Sequence, residues 1–374
     1  MAIVSRSKTT NVVKDSQRIV GYDVARALAI LAMVIVHFAL TFVNIEQPTT
    51  NGLLSLIVQF CEGRAAALFV VLAGVGLSLI ARTQANPSSE AIQAKRWTLT
   101  KRGLFLLGLG LLNLTIWPGD ILRVYGVSFL LIAWLFQSSN RRILGLALGF
   151  MLAFVGLMLR FNFNQNWDWT TLEYTNLWTI KGGLRNLFFD GFRSVFPWTS
   201  LIFFGIWLGR QNVQAAHVRW RLFWIGLSVA LGVQIGSIGL TYVFSNVWPI
   251  LGQADAELLF STGSIPPMPL FLLSAGGVAL AIIMSCVQLS QLFGASRIIH
   301  GLAATGQLAL TWYIGHVVIG LGVLTSLGFY QNQSLATSLW LALGFFGLAV
   351  GCSVWWKKRF NNGPLETVLR WATS

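Results

Sequence analysis

The chain has 374 residues, of which 55% are hydrophobic and only 10% charged, with a mean hydropathy of +0.68. A soluble domain carries about 25% charged residues. Here the deficit is gathered into repeated apolar runs of membrane-spanning length, which excludes an ordinary soluble globular protein and predicts an all-α, polytopic transmembrane bundle. The net charge of +14 is then a matter of loop orientation, not of nucleic-acid binding. Three cysteines, Cys61, Cys286 and Cys352, have neither a disulfide framework nor a zinc-like spacing, so no metal is expected. The first twenty residues are polar and basic and lack the apolar segment and cleavage site of a signal peptide, so the first apolar run is expected to be retained.

Ten spans are predicted in chain order: 22–44, 63–82, 99–117, 120–137, 142–162, 195–210, 220–247, 268–293, 305–330 and 335–356. The span at 195–210 is the shortest, with Pro197 near its start. Two longer segments intervene, 163–194, rich in Trp and Asn with an interfacial helix expected at 175–190, and 248–267. With the N-terminus inside, 19 of the 26 Lys and Arg fall on the inner side, three outside and four within or bordering spans. That asymmetry places both termini in the cytoplasm. The expected organisation is a cytoplasmic segment at 1–21, one membrane domain over 22–358 and a cytoplasmic tail at 359–374.

Charged side chains inside spans are costly and functional by default. The first span carries Asp23, Arg26 and His37. Eleven residues is close to three helical turns, so Arg26 and His37 share a face about 16 Å apart along the axis. Asp23, one turn from Arg26, is placed to pair with it. The bland alternative is that Arg26 snorkels to inner headgroups while His37 bonds a neighbouring helix. A second intramembrane histidine, His316, follows Thr311-Trp-Tyr-Ile-Gly in the ninth span. Histidine exchanges protons near neutral pH, and the two form one centre if the first and ninth spans are neighbours. His217 and His300 fall in inner loops and are expected to be solvated. Glu62 with Arg64, and Asp120 with Arg123, open the second and fourth spans at the outer side. They read either as ion pairs at helix ends or as a polar vestibule for an acceptor. Gly63, Ala67, Gly74 and Ser78 form a small-residue stripe that marks tight helix packing. No P-loop, dinucleotide-binding Gly pattern, His-Glu-x-x-His or Cys-x-x-Cys is present.

The stretch Arg18-Ile-Val-Gly-Tyr-Asp-Val-Ala-Arg-Ala-Leu-Ala-Ile-Leu-Ala-Met-Val-Ile-Val-His37 resembles the opening of the membrane acyltransferase superfamily, which includes heparan-α-glucosaminide N-acetyltransferase and the family-three acyltransferases. The segments Glu62–Gly74, Thr305–His316 and the closing Asn362-Gly-Pro-Leu-Glu366 are similar to a bacterial branch, the YeiB-like membrane proteins. The resemblance runs from about residue 18 to 370. It implies a multi-pass protein of the bacterial inner membrane that takes an acyl group, acetyl above all, from cytoplasmic acyl-CoA to an acceptor on the outer side. It also implies catalysis by His37, with donor binding by Arg26. The lysosomal enzyme carries its reactive histidine in a following luminal loop, and the matching loop here, 45–61, has none. That leaves His37 or His316 for the chemistry.

Two functions compete. In the enzyme, His37 is the base on an acceptor hydroxyl or amine, Arg26 held by Asp23 steers the coenzyme A phosphates, and His316 orients the acceptor or stabilises an oxyanion. In a transporter of a small solute or lipid, the same histidines relay protons. The expected partners are membrane lipids and a small-molecule, glycan or lipid acceptor. Self-association stays open, and nucleic acid is not expected.

Overall fold

The computed structural model describes residues 18–44, 52–81, 88–248 and 252–373. Most of the N-terminal segment expected to be cytoplasmic, and the start of the 83–98 loop, lie outside these residues. The chain begins with α1 (Val20–Phe42), α2 (Leu53–Cys61), α3 (Arg64–Ala81), α4 (Ser89–Leu114), α5 (Leu122–Leu135) and α6 (Asn140–Arg160). A two-stranded hairpin follows, β1 (Trp167–Asp168) against β2 (Glu173–Tyr174), antiparallel with Trp167 opposite Tyr174. Then come α7 (Ile180–Arg185), a π-helical turn at 186–190, α8 (Val195–Gly209) and α9 (Ala216–Tyr242), which runs on as a π-helical turn to Val247. The last part holds α10 (Gln253–Phe260), α11 (Pro269–Leu292), α12 (Arg297–Gln307), α13 (Ala309–Gly315), a π-helical segment His316–Leu321, α14 (Gly322–Ser326), α15 (Leu335–Lys357) and α16 (Pro364–Thr373).

Helix starts follow local chemistry. Ser88, Ser139, Ser296 and Ser334 each accept a hydrogen bond from a backbone N–H of the turn they open, at α4, α6, α12 and α15. Such caps satisfy amides that have no intrahelical partner. Burial then sorts the helices into centre and rim. The spans containing α1, α2–α3 and α11 have 56%, 56% and 67% of their apolar window buried, against 11% for α6 and 22% for α9. Leu148, Leu152 and Leu159 on α6 and Ile235 and Ile238 on α9 stay exposed, as expected of surfaces facing lipid. The small-residue stripe packs helices. A Cβ on Gly74 would stand 2.2 Å from the Ile202 carbonyl oxygen, so α3 meets α8 at backbone distance.

Among the described residues, seven helical runs are long and apolar enough to cross a membrane: Val20–Phe42, Leu53–Ala81, Asn140–Arg160, Ala216–Val247, Pro269–Leu292, Ala309–Ser326 and Leu335–Lys357. The other three of the ten predicted spans are helical too, but depart from a simple span for definite reasons. α4 is charged through its first half, at Glu90, Lys95, Arg96, Lys101 and Arg102. α5 and α8 have 14 and 15 residues, and α8 is buried along nearly its whole length, so lipid thickness does not set its length.

Four boundaries need correction. Residues 53–61, read as loop, form α2, leading into α3 through a tight turn at Gly63 with φ +67°. His217 and His300, placed in loops, sit in the first turns of α9 and α12, although both are exposed as expected. The ninth span, predicted from residue 305, is interrupted at Leu308, with φ −103° and ψ 30°, so that α12 ends at Gln307 and the spanning run begins at Ala309. The expected interfacial helix at 175–190 is shorter, only α7 and the π turn, and the hairpin before it carries no periodic signal that could have announced it.

Candidate active site

His37 lies toward the hairpin end of α1, and His316 opens the π-helical segment after α13. Their rings meet: His37 Nδ1 and His316 Nε2 are 2.8 Å apart, across 279 residues of sequence. His316 is fully buried and its Nδ1 faces the Trp312 carbonyl oxygen at 3.3 Å. Trp312 is itself tied to α15, its Nε1 donating to Ser353 Oγ at 2.7 Å. The other face of His37 lies against Trp117, ring centroids 4.6 Å apart. π-helical turns inside α-helices recur at functional sites because they re-aim a side chain. Here the turn begins at the histidine.

Toward the end of the bundle that carries Arg18 and α16, here the terminal end, Asp23 is buried and joins two arginines. Arg26 Nη1 and Arg18 Nε each donate to it at 2.6 Å. The Arg26–Asp23 pair is the one the helical spacing predicts, and Arg18 is an addition to it. The Arg26 guanidinium lies over Gly76 of α3, with Nη2 3.6 Å from where a Cβ would be, and interacts electrostatically with Tyr125. Lys357, near the end of α15, feels Arg18, Asp23 and Arg370. The terminal end is thus rich in cations gathered from three segments of the chain: the start of α1, the end of α15 and α16.

The two expected vestibule pairs are placed differently from one another. Asp120 and Arg123 are buried, 0% and 2% exposed, so they lie in the interior and not at an open mouth. Arg123 Nε faces Asp120 Oδ2 at 3.5 Å. Asp120 accepts from Asn113 Nδ2 and from the Arg123 backbone N–H, both at 3.0 Å. Tyr313 accepts from the Ile121 N–H at 3.1 Å and directs its hydroxyl toward Asp120 Oδ1 at 3.4 Å, while its ring stands edge-on to His316 at 5.7 Å. Arg123 Nη1 donates to Asn186 Oδ1 at 3.0 Å, and Nη2 has no hydrogen-bond partner among the described residues. Glu62 and Arg64 diverge instead of pairing. Glu62 accepts from Ser264 Oγ at 3.2 Å, and Arg64 turns back over the Phe60 ring.

Asn186 also lines a cavity of about 670 Å³ at the hairpin end, with Trp167, Glu173, Tyr174, Asn176 and Trp178. Its wall is braced by Asp190, which accepts from Tyr174 Oη at 2.6 Å and pairs with Arg185 Nε. Burial pushes the Tyr174 hydroxyl above its ordinary pKa, so it stays a donor. The turn between the strands is held by Asp168 Oδ1, which accepts from the Thr170 and Thr171 N–H groups. Those bonds lower its pKa from the usual carboxylate value.

The heparan-alpha-glucosaminide N-acetyltransferase catalytic family matches residues 18–241, more than half of the chain. This chain belongs to that family. Residues 207–374 match a second family, described as a protein of unknown function (DUF418), the YeiB-like group. No curated protein matches the chain. The protein is therefore a multi-pass, membrane acyltransferase-like member of the N-acetyltransferase family. His37 lies in the part matched by the first family and His316 in the part matched only by the second.

Sequence reasoning passes over several residues of this region. Tyr313, Asn113 and Asn186 link the buried Asp120–Arg123 pair to the histidine and to the cavity. Arg193, in sequence only an outer cation, is buried over the Trp198 ring at 4.6 Å and interacts electrostatically with His37 and Glu62. Trp117, which stands against His37, is in sequence only the last residue of the predicted span 99–117. The available signal is weak: Tyr313 lies three residues before His316, one helical turn away.

Proposed function

We propose that this protein is an integral membrane acyltransferase that moves an acetyl group from acetyl-CoA, bound on the cytoplasmic side, to a hydroxyl or amine acceptor on the outer side. The single observation that supports it most is the His37–His316 contact at 2.8 Å, made on the same helix that carries Arg26 toward the terminal end. The basic asymmetry of the loops supports an orientation with both termini in the cytoplasm. The Arg26 end then meets the donor, and the hairpin end the acceptor.

In this reading the hydrogen bonds assign the tautomers. His316 Nδ1–H donates to the Trp312 carbonyl, so His316 Nε2 accepts from His37 Nδ1–H. His37 Nε2 is left as a lone pair with no hydrogen bond from any described residue. It takes the proton from the acceptor as the acceptor oxygen or nitrogen attacks the acyl carbonyl carbon. The carbon–sulfur bond of the tetrahedral intermediate then breaks, and the leaving thiolate takes that proton back from His37. His316 thereby orients the base, in place of the acceptor. The buried Arg193 charge supplies the oxyanion stabilisation. Arg26, with a rotamer held by Asp23, receives the donor's phosphates, and the roughly 16 Å of α1 between Arg26 and His37 is left for the pantetheine arm. The cavity by Asn186 is the acceptor's approach, and the buried Asp120–Arg123 pair is joined to its wall through the Arg123–Asn186 hydrogen bond.

The transport reading draws on one observation, the break at Leu308, because broken helices are frequent in transporters. The test separates the two. Purified protein in nanodiscs, given acetyl-CoA labelled in the acetyl group, is expected to release coenzyme A and label an acceptor or water. The label staying on coenzyme A in the presence of envelope extracts rejects the enzyme.

A further inference from the structure

We propose that Glu366 is a positioning residue, the carboxylate from the C-terminal helix that sets His316 against His37. Its functional consequence rests on the acyltransferase reading above. The geometry points to it through the break at Leu308. There the helix carrying Tyr313 and His316 starts afresh, and its first amides have no intrahelical acceptor. Glu366 reaches in from α16 to supply one. Its Oε1 accepts from the Leu310 N–H at 2.7 Å and the Thr311 N–H at 3.1 Å, and its Oε2 accepts from Thr311 Oγ1 at 2.6 Å. Thr311 Oγ1 in turn accepts from the Leu365 N–H at 3.2 Å, closing the clamp from both sides.

Each member of the closing Asn362-Gly-Pro-Leu-Glu366 motif has a place in this clamp. The Asn362 carbonyl accepts from Trp356 Nε1 at 2.9 Å, fixing the turn to α15. A Cβ on Gly363 would stand 2.1 Å from Glu366 Oε2 and 2.9 Å from Thr311 Oγ1, so only glycine lets the carboxylate close. Pro364 occupies the first turn of α16, where its missing N–H costs nothing. The capped run is continuous from Ala309 to Ser326 and is gripped on its other side by the Trp312–Ser353 bond. A displacement at Leu310 is therefore carried within one turn to the Trp312 carbonyl, two residues on, the acceptor of His316 Nδ1.

The test uses the full chain in nanodiscs with E366A, E366Q and G363A. The E366Q change keeps an oxygen acceptor for the two amides, whereas E366A removes it and G363A displaces it with its charge intact. Two readouts are taken. The first is the rate of diethylpyrocarbonate labelling at His37 and His316, with the exposed His217 and His300 as internal references. The second is turnover of acetyl-CoA. In E366A and G363A, labelling of His37 and His316 is expected to rise several-fold against the references. The kcat should fall about tenfold with the KM for acetyl-CoA nearly unchanged, and E366Q should stay near wild type. Wild-type labelling in E366A overturns the proposal, as does a parallel loss of thermal stability, donor affinity and turnover that E366Q does not rescue. If the wild-type protein turns over no acetyl-CoA, the acyltransferase reading fails, while the labelling arm still decides whether Glu366 places His316.

Discussion

Two side chains on one helix divide the proposed labour, and single substitutions separate them. His37→Ala removes the group that moves a proton only in the chemical step, so turnover is expected to be lost while acetyl-CoA binding persists. Arg26→Ala should weaken acetyl-CoA binding by about tenfold or more, and Arg26→Lys should restore part of it, because a point charge keeps the attraction but loses the planar fork. Equilibrium binding and turnover for each variant check both statements. Unchanged donor affinity in Arg26→Ala removes the coenzyme A assignment. Asp23 serves two arginines, so Asp23→Asn is expected to reproduce much of the Arg26 defect and to cost stability as well, since it leaves a partly buried guanidinium uncompensated. A melt and a binding isotherm on the same sample distinguish the two contributions.

Helix contact decides the next scale. α12 crosses α1 so closely that a Cβ on Gly306 would stand 1.8 Å from the Asp23 carbonyl oxygen. Gly306→Ala must separate the two helices, because the obstructing atom is backbone and cannot swing aside. The expected cost is about 1–3 kcal/mol, in the range for overpacking, and is read as a lower midpoint in thermal unfolding. Turnover should fall as well, since the same two helices lead to Asp23 on one side and to the break before His316 on the other. An unshifted midpoint would mean that this crossing has slack. At the hairpin end, Asp190 anchors the cavity wall through Tyr174 and Arg185, so that wall has its own support apart from the helix crossings.

For the molecule as a whole, orientation carries the assignment of donor and acceptor sides. Single cysteines placed at positions 90 and 171, in a protein whose own three cysteines are replaced, should be labelled by an impermeant maleimide from opposite sides of intact cells. Position 171 is expected to react from outside, and position 90 only after permeabilisation. The reverse pattern would exchange the donor and acceptor ends. The two family matches divide along the chain, and the two histidines divide with them, so neither half carries the pair alone.

Much of this is already written in one dimension. Composition and the length of the apolar runs determine a helical membrane protein, because lipid offers the backbone no hydrogen bonds. Spacing along a helix determines that Asp23 pairs with Arg26, since the α-helix fixes which residues face each other over a few turns. The small-residue stripe of α3 announces a close helix partner for the same reason. Sequence could name His37 and His316 as the costly intramembrane side chains, but not their meeting, because contact between residues 279 apart depends on how the helices assemble. The same limit explains why sequence left Asp120 and Arg123 open between an ion pair at a helix end and a polar vestibule, while the structure shows the pair buried: burial belongs to the neighbours, not to the residue. Only the tertiary structure brought Glu366 to the break at Leu308, Arg18 to Asp23 and Asn186 to Arg123. The first and last of these join segments more than fifty residues apart, and no local pattern encodes the packing that closes that distance; the Arg18 contact is local but lies before the helix, where helical spacing does not apply.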